Sequence, residues 1–279
     1  MSIKFTKMHG LGNDFIVIDG INQKIDLSPE QISLIAQRNT GIGFDQLLLI
    51  EPSDQANVDF KYRIFNADGH EVGQCGNGAR CLAAFAKYYG LTPKNSLTVA
   101  TSTTQMQLHI NNDNSISVDM GVPRLAPKDI PLIAEHQAEA YTINLEEGET
   151  AIVHALSVGN PHAVLLVHDT EMAPVHTLGQ QISHHPRFPE QVNVGFMQII
   201  NPRQIKLRVY ERGCGETLAC GSGAVAAAAA GRLYHQLEPQ ITVSLPGGDL
   251  VIDWPAFEKP ITLTGPAAFV YEGVLLSLG

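Results

Sequence analysis

The sequence QCGNGARC at residues 74 to 81 returns as ACGSGAVA at residues 219 to 226, so one chain writes the same cysteine-bearing glycine turn twice. The copies are embedded in longer correspondences. Overlaying residues 61–86 on 206–231 without a gap gives identities at nine of 26 positions, among them Lys61/Lys206, Arg63/Arg208, Glu71/Glu216, Cys75/Cys220, Gly76/Gly221 and Gly78/Gly223. GNDFIVID from Gly12 matches GNPHAVLL from Gly159, and GIGFDQLLLI from Gly41 resembles NVGFMQII from Asn193. LTVATS from Leu97 corresponds to ITVSLP from Ile241, and the glycine of DMGVP to that of LTGPA, all in one order. A chain with this pattern must build one architecture twice. The two halves are expected to be related by a pseudo-two-fold axis.

Within each half the pattern reads as strands with few helices. Apolar runs predict strands at Ile3–Phe5 and Phe15–Ile18. A short helix follows, with Ser28 as its cap, Pro29 at its first position and Gln31 as capping-box partner, stopping at Gly41. Further strands are expected at Gln46–Ile50 and Asp59–Phe65, then the glycine turn and a helix over Ala79–Tyr89. Short strands around Leu97–Ala100, Gln105–Ile110 and Ser115–Asp119 close the half. No βαβ rhythm is sustained, so the class is α+β with mostly antiparallel or mixed sheets. The boundary is placed near Gly121–Pro123, giving an N-terminal domain of 1–120 and a C-terminal domain of 121–265. The closing strand AAFVYEGVLL is read as crossing back, so that 266–279 completes the first domain.

A net charge of −10 argues against nucleic-acid or anionic-membrane partners, both of which demand basic surface. The start MSIKFTKMHGLGNDFIVIDG lacks the basic-then-apolar form of a secretory leader, and AVAAAAAG is too short to span a bilayer. Four widely spaced cysteines in such a chain suggest reduced thiols and a cytoplasmic location.

In both copies the glycines come first and strong helix formers follow. Each cysteine therefore belongs at a helix N-terminus, where unpaired N–H groups and the dipole favour negative charge. Such a position is expected to lower a thiol from about 8.5 toward neutrality. Gly76 and Gly78, like Gly221 and Gly223, let an anionic ligand approach the backbone. If both helix starts serve one small carboxylate, one thiolate can take a proton from a carbon while the other thiol donates one to the opposite face. That is the chemistry of stereochemical inversion at an amino-acid α-carbon. Cys81 and Cys214 fall on Ala226 and Gly69 in the overlay and are read as structural or incidental. The spacings of the cysteines do not suit a metal knuckle. Glu71 and Glu216 recur before each cysteine, where a structural role at the helix start is as reasonable as a catalytic one. In Gly-Asn turns, Asn13 and Asn160 suit left-handed backbone as readily as ligand binding. The histidines other than His162 are read as solvated surface.

NADGHEVGQCGNGARC, GNPHAV, VNVGFMQ and YERGCGETLACGSGA, with KMHGLGNDFIVID and GIGFDQLL before them, resemble the signatures of the diaminopimelate epimerase family along essentially the whole chain. The resemblance implies two similar domains, each a sheet wrapped around a central helix. It also implies interconversion of LL- and meso-2,6-diaminopimelate, in lysine and peptidoglycan precursor synthesis, without pyridoxal phosphate or metal. By it, Cys75 and Cys220 are the acid/base pair, and Gly76, Asn77, Gly221 and Ser222 lie at the helix starts that hold the reacting carboxylate. Asn13, Gln46, Asn66, Asn160, Asn193, Glu211 and Arg212 are implied to line the pocket, and His162 and Glu211 to modulate the thiols. It further implies a homodimer with Tyr271 at the contact.

Those residue types suit those roles. An arginine grips a distal carboxylate bidentately, a glutamate suits an ammonium, and amides both donate to and accept from a zwitterion. Three other readings compete: a proline racemase or hydroxyproline epimerase, a thiol redox or metal-binding protein, and a non-catalytic amino-acid-binding clamp. The Glu-Arg-Gly segment at 211–213 and the asparagine set argue against the first, because a proline site has no second amino-acid centre to read.

Overall fold

The computed structural model describes residues 2–73 and 75–276; Met1, Gln74 of the first glycine turn, and 277–279 of the closing segment lie outside the described residues. In chain order the elements are β1 (Ile3–Gly10), β2 (Asn13–Asp19), α1 (Pro29–Ala36), β3 (Gln46–Pro52), β4 (Phe60–Asn66), β5 (Glu71–Val72), α2 (Gly76–Tyr88), β6 (Ser96–Ala100), β7 (Gln105–Ile110) and β8 (Ile116–Asp119). They continue with β9 (Tyr141–Asn144), β10 (Thr150–Ser157), β11 (Pro161–Leu166), α3 (Val175–Ser183), β12 (Asn193–Asn201), β13 (Gln204–Glu211) and β14 (Gly215–Thr217). The last are α4 (Gly221–Tyr234), β15 (Gln240–Leu245), β16 (Gly248–Asp253), β17 (Thr262–Gly265) and β18 (Ala268–Leu275). The chain divides into two compact units, residues 1–118 with 265–279, and residues 119–264.

In the first unit the strands run β18-β1-β2-β3-β4-β6-β7-β8, with β5 also on β4. β2–β3 and β4–β6 are parallel and the rest antiparallel, so the sheet is mixed. In the second unit the order is β9-β10-β11-β12-β13-β15-β16-β17, with β14 on β13. Here β11–β12 and β13–β15 are the parallel pairs. The registers repeat as well. Phe15 opposes Gln46 as His162 opposes Asn193, Phe65 opposes Glu71 as Tyr210 opposes Glu216, and Lys61 opposes Ala100 as Lys206 opposes Ser244. One correspondence expected from the sequence is corrected. Gly43 and Phe44 precede β3, whereas Gly195 and Phe196 lie inside β12, so the ladder matches Gln46 with Asn193 rather than aligning the two Gly-Phe pairs.

Each sheet is covered on both faces, which is why FIVI, LLLI and HAVLL read as unbroken apolar runs rather than alternations. On one face of the first sheet, Ile16, Ile18, Leu47 and Leu49 pack with Ile32 and Ile35 of α1. The capping box of Ser28 and Gln31 forms, and fixes where α1 begins. The other face encloses α2, which packs against β1, β2, β3 and β7. The second unit repeats this: Ala163, Val194 and Phe196 pack with Val175 and Ile182 of α3, and α4 lies against β10, β11, β12, β13, β15 and β16. α4 is buried all round, so its run of alanines is what a fully enclosed helix requires.

The central helix of the first unit starts at Gly76, three residues before the expected Ala79. The first turn tolerates glycine because only its later N–H groups enter the helical ladder, and packing demands it at position 78. A Cβ there would collide with the Tyr62 hydroxyl and press against Leu48.

An ion-pair network ties β1, β2 and the α1–β3 loop together. The Lys7 ammonium lies 2.5 Å from Asp14 and donates to the Gly43 carbonyl; Arg38 donates to both oxygens of Asp14 and reaches Asp45 at 2.8 Å. Burial alone would raise Asp14, but the bonds from Arg38 and Lys7 outweigh it and hold this carboxyl well below the usual carboxylate range. We expect Asp14→Asn to cost roughly 2 kcal/mol at pH 7, less than the loss of a fully buried pair because Arg38 is largely exposed. A carboxyl lowered by folding contributes fully above its unfolded value of about 3.9, and that contribution is lost as pH falls further. Urea denaturation of both proteins at stepped pH checks this: the gap should be full at neutral pH and begin to narrow only below about pH 4.

Candidate functional site

In the first unit Cys75 is the N-cap of α2, and its sulfur accepts from the Gly78 N–H at 3.3 Å. The Asn13 carbonyl oxygen lies 4.0 Å from the Cys75 sulfur and accepts from the Asn77 amide at 3.3 Å. Asn13 is in turn oriented by Asp45, which accepts from its amide at 2.9 Å. The Lys7–Asp14–Arg38–Asp45 network, which the sequence reading missed, therefore supports the side chain facing Cys75. Left-handed backbone in this turn is carried by Leu11 and Gly12, not Asn13. Gln46 donates to the Asn66 carbonyl oxygen at 2.9 Å, across the β3–β4 pair in which they are opposed. A Cβ on Gly76 would meet nothing within 4 Å, so the backbone at this helix start is open to a ligand.

In the second unit Cys220 is the N-cap of α4 and is only 3% exposed. Its thiol donates to Glu211 Oε2 at 3.1 Å, while Thr217 donates to Glu211 Oε1 at 2.5 Å. Thr217 is a second group the sequence reading passed over; its counterpart in the overlay is Val72, so the duplication gave no signal for it. The Ser222 hydroxyl lies 3.6 Å from the Cys220 sulfur and accepts from Asn160, whose carbonyl oxygen lies 3.0 Å from His162 Nε2. Again the left-handed residue is the glycine, Gly159, and not Asn160. Asn193 is buried and spans the main chain: it donates to the Pro161 carbonyl and accepts from the Arg212 N–H. The exposed Arg212 guanidinium donates to the Glu190 carbonyl at 3.0 Å.

The electrostatics correct the expectation that each helix start lowers its thiol. Burial, then the charge of Glu211, push the Cys220 thiol well above its ordinary value, so this sulfur rests protonated. Burial, with a smaller effect of Arg212, brings His162 down to about 3, so it is a neutral imidazole at physiological pH. A chain of contacts through Asn160 and Ser222 links it to the Cys220 sulfur. Cys81 is fully buried, and burial pushes its thiol up to about 12, as an inert core residue requires. Cys214 is exposed, and none of the four cysteines is in a disulfide.

Glu71 and Glu216 make the same bidentate pair in each unit, with Arg63 and Arg208 respectively. Their oxygens are spent bracing the turn into the helix start. Not every remaining histidine is solvated. His154 is buried because the end of β10 is covered on both faces; its Nε2 lies 2.9 Å from His235 Nε2, and it stacks on Tyr234. Tyr271 stands on β18, 46% exposed, with its ring edge-on to Phe5 at 6.1 Å.

The sequence model of the family described as diaminopimelate epimerase matches residues 5–126 and 154–270, one stretch in each half. A diaminopimelate epimerase of Legionella pneumophila (strain Philadelphia 1) is 70% identical over 277 residues, covering 99% of this chain and all of that one. One of Thioalkalivibrio sulfidiphilus is 55% identical over 275 residues, covering 98% and 99%. Among solved structures, a PhzF-family phenazine biosynthesis protein of Bacillus anthracis superposes with a TM-score of 0.69 at 16% identity, covering 99% of this chain and 100% of that one. A hydroxyproline epimerase of Agrobacterium vitis gives 0.69 at 14% identity, covering 98% and 92%; at such identity these share the fold alone. Matched in both halves and along nearly its full length, the chain belongs to the diaminopimelate epimerase family.

Proposed function

We propose that this protein interconverts LL- and meso-2,6-diaminopimelate, with Cys75 and Cys220 acting on opposite faces of one α-carbon. One sulfur, as thiolate, takes the α-proton; the other, as thiol, delivers a proton to the opposite face and is left as the thiolate. The observation that carries this reading is the repeated helix start, with a cysteine N-cap on an enclosed helix in each half of a chain of this family. The α-carbon of an amino acid is a very weak acid, and the charge that develops on its carboxylate needs fixed donors. The N–H groups at Gly76–Asn77 and Gly221–Ser222 are suited to that task. Asn13, Gln46, Asn66, Asn160, Asn193 and Arg212 would read the substrate's polar groups, and Glu211 its ammonium. A site with several buried polar groups rejects analogues that leave them unpaired, which favours diaminopimelate over proline.

We also propose a cytoplasmic homodimer, for which reduced thiols and the exposed apolar side chains of Phe269, Val270, Tyr271 and Val274 on β18 speak. No helix of the described residues is long and apolar enough to cross a membrane.

The test of the activity is exchange of the α-hydrogen of diaminopimelate with deuterated water under reducing conditions. Cys75→Ser and Cys220→Ser should each lower turnover about 10²–10⁴-fold, the usual weight of one acid/base group. Full activity in both variants, or exchange confined to proline, would overturn the reading; tight binding without exchange would make the protein a binding module.

Glu211→Gln removes the carboxylate charge beside Cys220 while keeping a hydrogen-bond acceptor. Alkylation of Cys220 by iodoacetamide at pH 8 should therefore speed up several-fold, as the thiolate becomes less disfavoured. Mass spectrometry resolves that site from the other cysteines.

For the assembly, sedimentation velocity at micromolar protein should give a dimer that shifts toward monomer in Tyr271→Ala. A monomeric wild-type protein would refute the dimer.

A further inference from the structure

Among the described residues the largest fully buried side chain is an arginine. Arg80, five residues after Cys75 on α2, is 0% exposed. Its Nε donates to the Pro266 carbonyl at 3.1 Å, but Nη1 and Nη2 meet no hydrogen-bond acceptor among the described residues. A guanidinium does not deprotonate in proteins, so this is a positive charge held out of water with most of its donors unspent. Such a charge is tolerated where an opposite one is available to it.

The chain has made room for it. A Cβ on Gly10 would stand 3.0 Å from Arg80 Nη2 and 3.4 Å from the Asn77 Cβ. Gly10 is opposed in the β1–β2 ladder to Asn13, the residue whose carbonyl oxygen lies 4.0 Å from the Cys75 sulfur. The guanidinium thus lies against the group of residues that surrounds this sulfur.

The other titratable groups around α2 do not serve as its counter-charge. On β1, Lys7 and His9 alternate with Met8 and Gly10 and so leave the other face of the strand. Asp14 on β2 is taken by Lys7 and Arg38. On β7, His109 is exposed and bonded to Ser96, and on β18 Glu272 is bonded to Tyr89. Burial keeps the Tyr62 phenol and the Cys81 thiol protonated. The Cys75 sulfur remains.

We infer that Arg80 is a positioning residue whose enclosed guanidinium is the fixed counter-charge that holds Cys75 as a thiolate in the resting protein. The second unit lacks it: Val225 occupies the matching place on α4, and Cys220 faces the Glu211 carboxylate instead. The two copies of the helix start are thereby set in opposite protonation states, Cys75 as base and Cys220 as acid. The inference rests on the reading that both sulfurs react, and gives each its starting role.

The test titrates Cys75 by its rate of alkylation with iodoacetamide against pH, read at that residue by mass spectrometry, in wild type, Arg80→Met and Arg80→Lys. We expect a wild-type midpoint below the ordinary thiol value of about 8.5. Arg80→Met should raise it by about one unit or more, slowing alkylation at pH 7 roughly tenfold, while Arg80→Lys keeps most of the lowering. The acid limb of kcat/KM for the direction that starts at Cys75 should move with the midpoint, with KM little changed. A wild-type midpoint at or above 8.5, or one unmoved in Arg80→Met, overturns the inference. Should Arg80→Met fail to fold, wild type and Arg80→Lys decide: a lowered midpoint in both supports it, and an ordinary midpoint in either overturns it. Because alkylation needs no turnover, the result stands apart from the deuterium-exchange assay. A protein that fails to exchange diaminopimelate would lose its proposed reaction without touching the Cys75 titration.

Discussion

Each unit depends on enclosing one helix on all its faces. A helix packed between strands on every side must be slim, and α4 meets this with Ala224 and Ala226–Ala230, while α2 does so with Gly78, Ala79, Ala83 and Ala86. The first-turn glycines follow from the same constraint, since a Cβ on Gly78 would collide with Tyr62 and one on Gly223 would crowd Val209. An enclosed helix still has unpaired N–H groups at its first turn, and these need acceptors. In both units the residue at that opening is a cysteine. The sulfur, the donors and the open backbone at Gly76 are thus products of one packing solution, used twice.

The duplication also explains what is shared and what is not. Arg63–Glu71 and Arg208–Glu216 brace the two helix starts identically because a strand register fixes them. At Asn66 and Glu211, at Arg80 and Val225, and at Val72 and Thr217 the copies differ. Among them, Glu211 contacts the Cys220 sulfur and Thr217 holds Glu211. At two of the three pairs, Asn66/Glu211 and Arg80/Val225, the divergence changes charge while the strand register is kept.

This divides what a sequence can disclose from what it cannot. The α+β class, the enclosed helices and the cysteine caps were legible because each leaves a periodic or repeated signal: an alanine run, a capping box at Ser28 and Gln31, a glycine turn written twice. The burial of Arg80 was not, because an arginine in a helix reads as a surface residue until the strands around it are known. His154 was missed for the same reason, on a strand whose two covered faces erase the alternation. The Lys7–Asp14–Arg38–Asp45 network joins residues from three separate segments, and no local pattern announces it. The misaligned Gly-Phe pairs at 43–44 and 195–196 show the opposite failure, a repeated motif that the ladder does not treat as equivalent.

Magnitudes decide which of these residues governs the chemistry. A helix terminus is worth about 0.3–1 kcal/mol to a nearby charge at an exposed site. That is under one unit of pKa at about 1.36 kcal/mol each, whereas burial and a neighbouring charge move a group by up to 3–5 units. Cys220 illustrates the outcome: it caps a helix as Cys75 does, yet burial and Glu211 keep it a thiol. The helix start therefore fixes where each sulfur stands and supplies its donors, but does not set its protonation. That is left to the side chains the duplication did not preserve. In the proposed inversion one sulfur starts as base and the other as acid, and unlike neighbours assign those roles in advance, where identical ones would leave a single proton to be shared between the two.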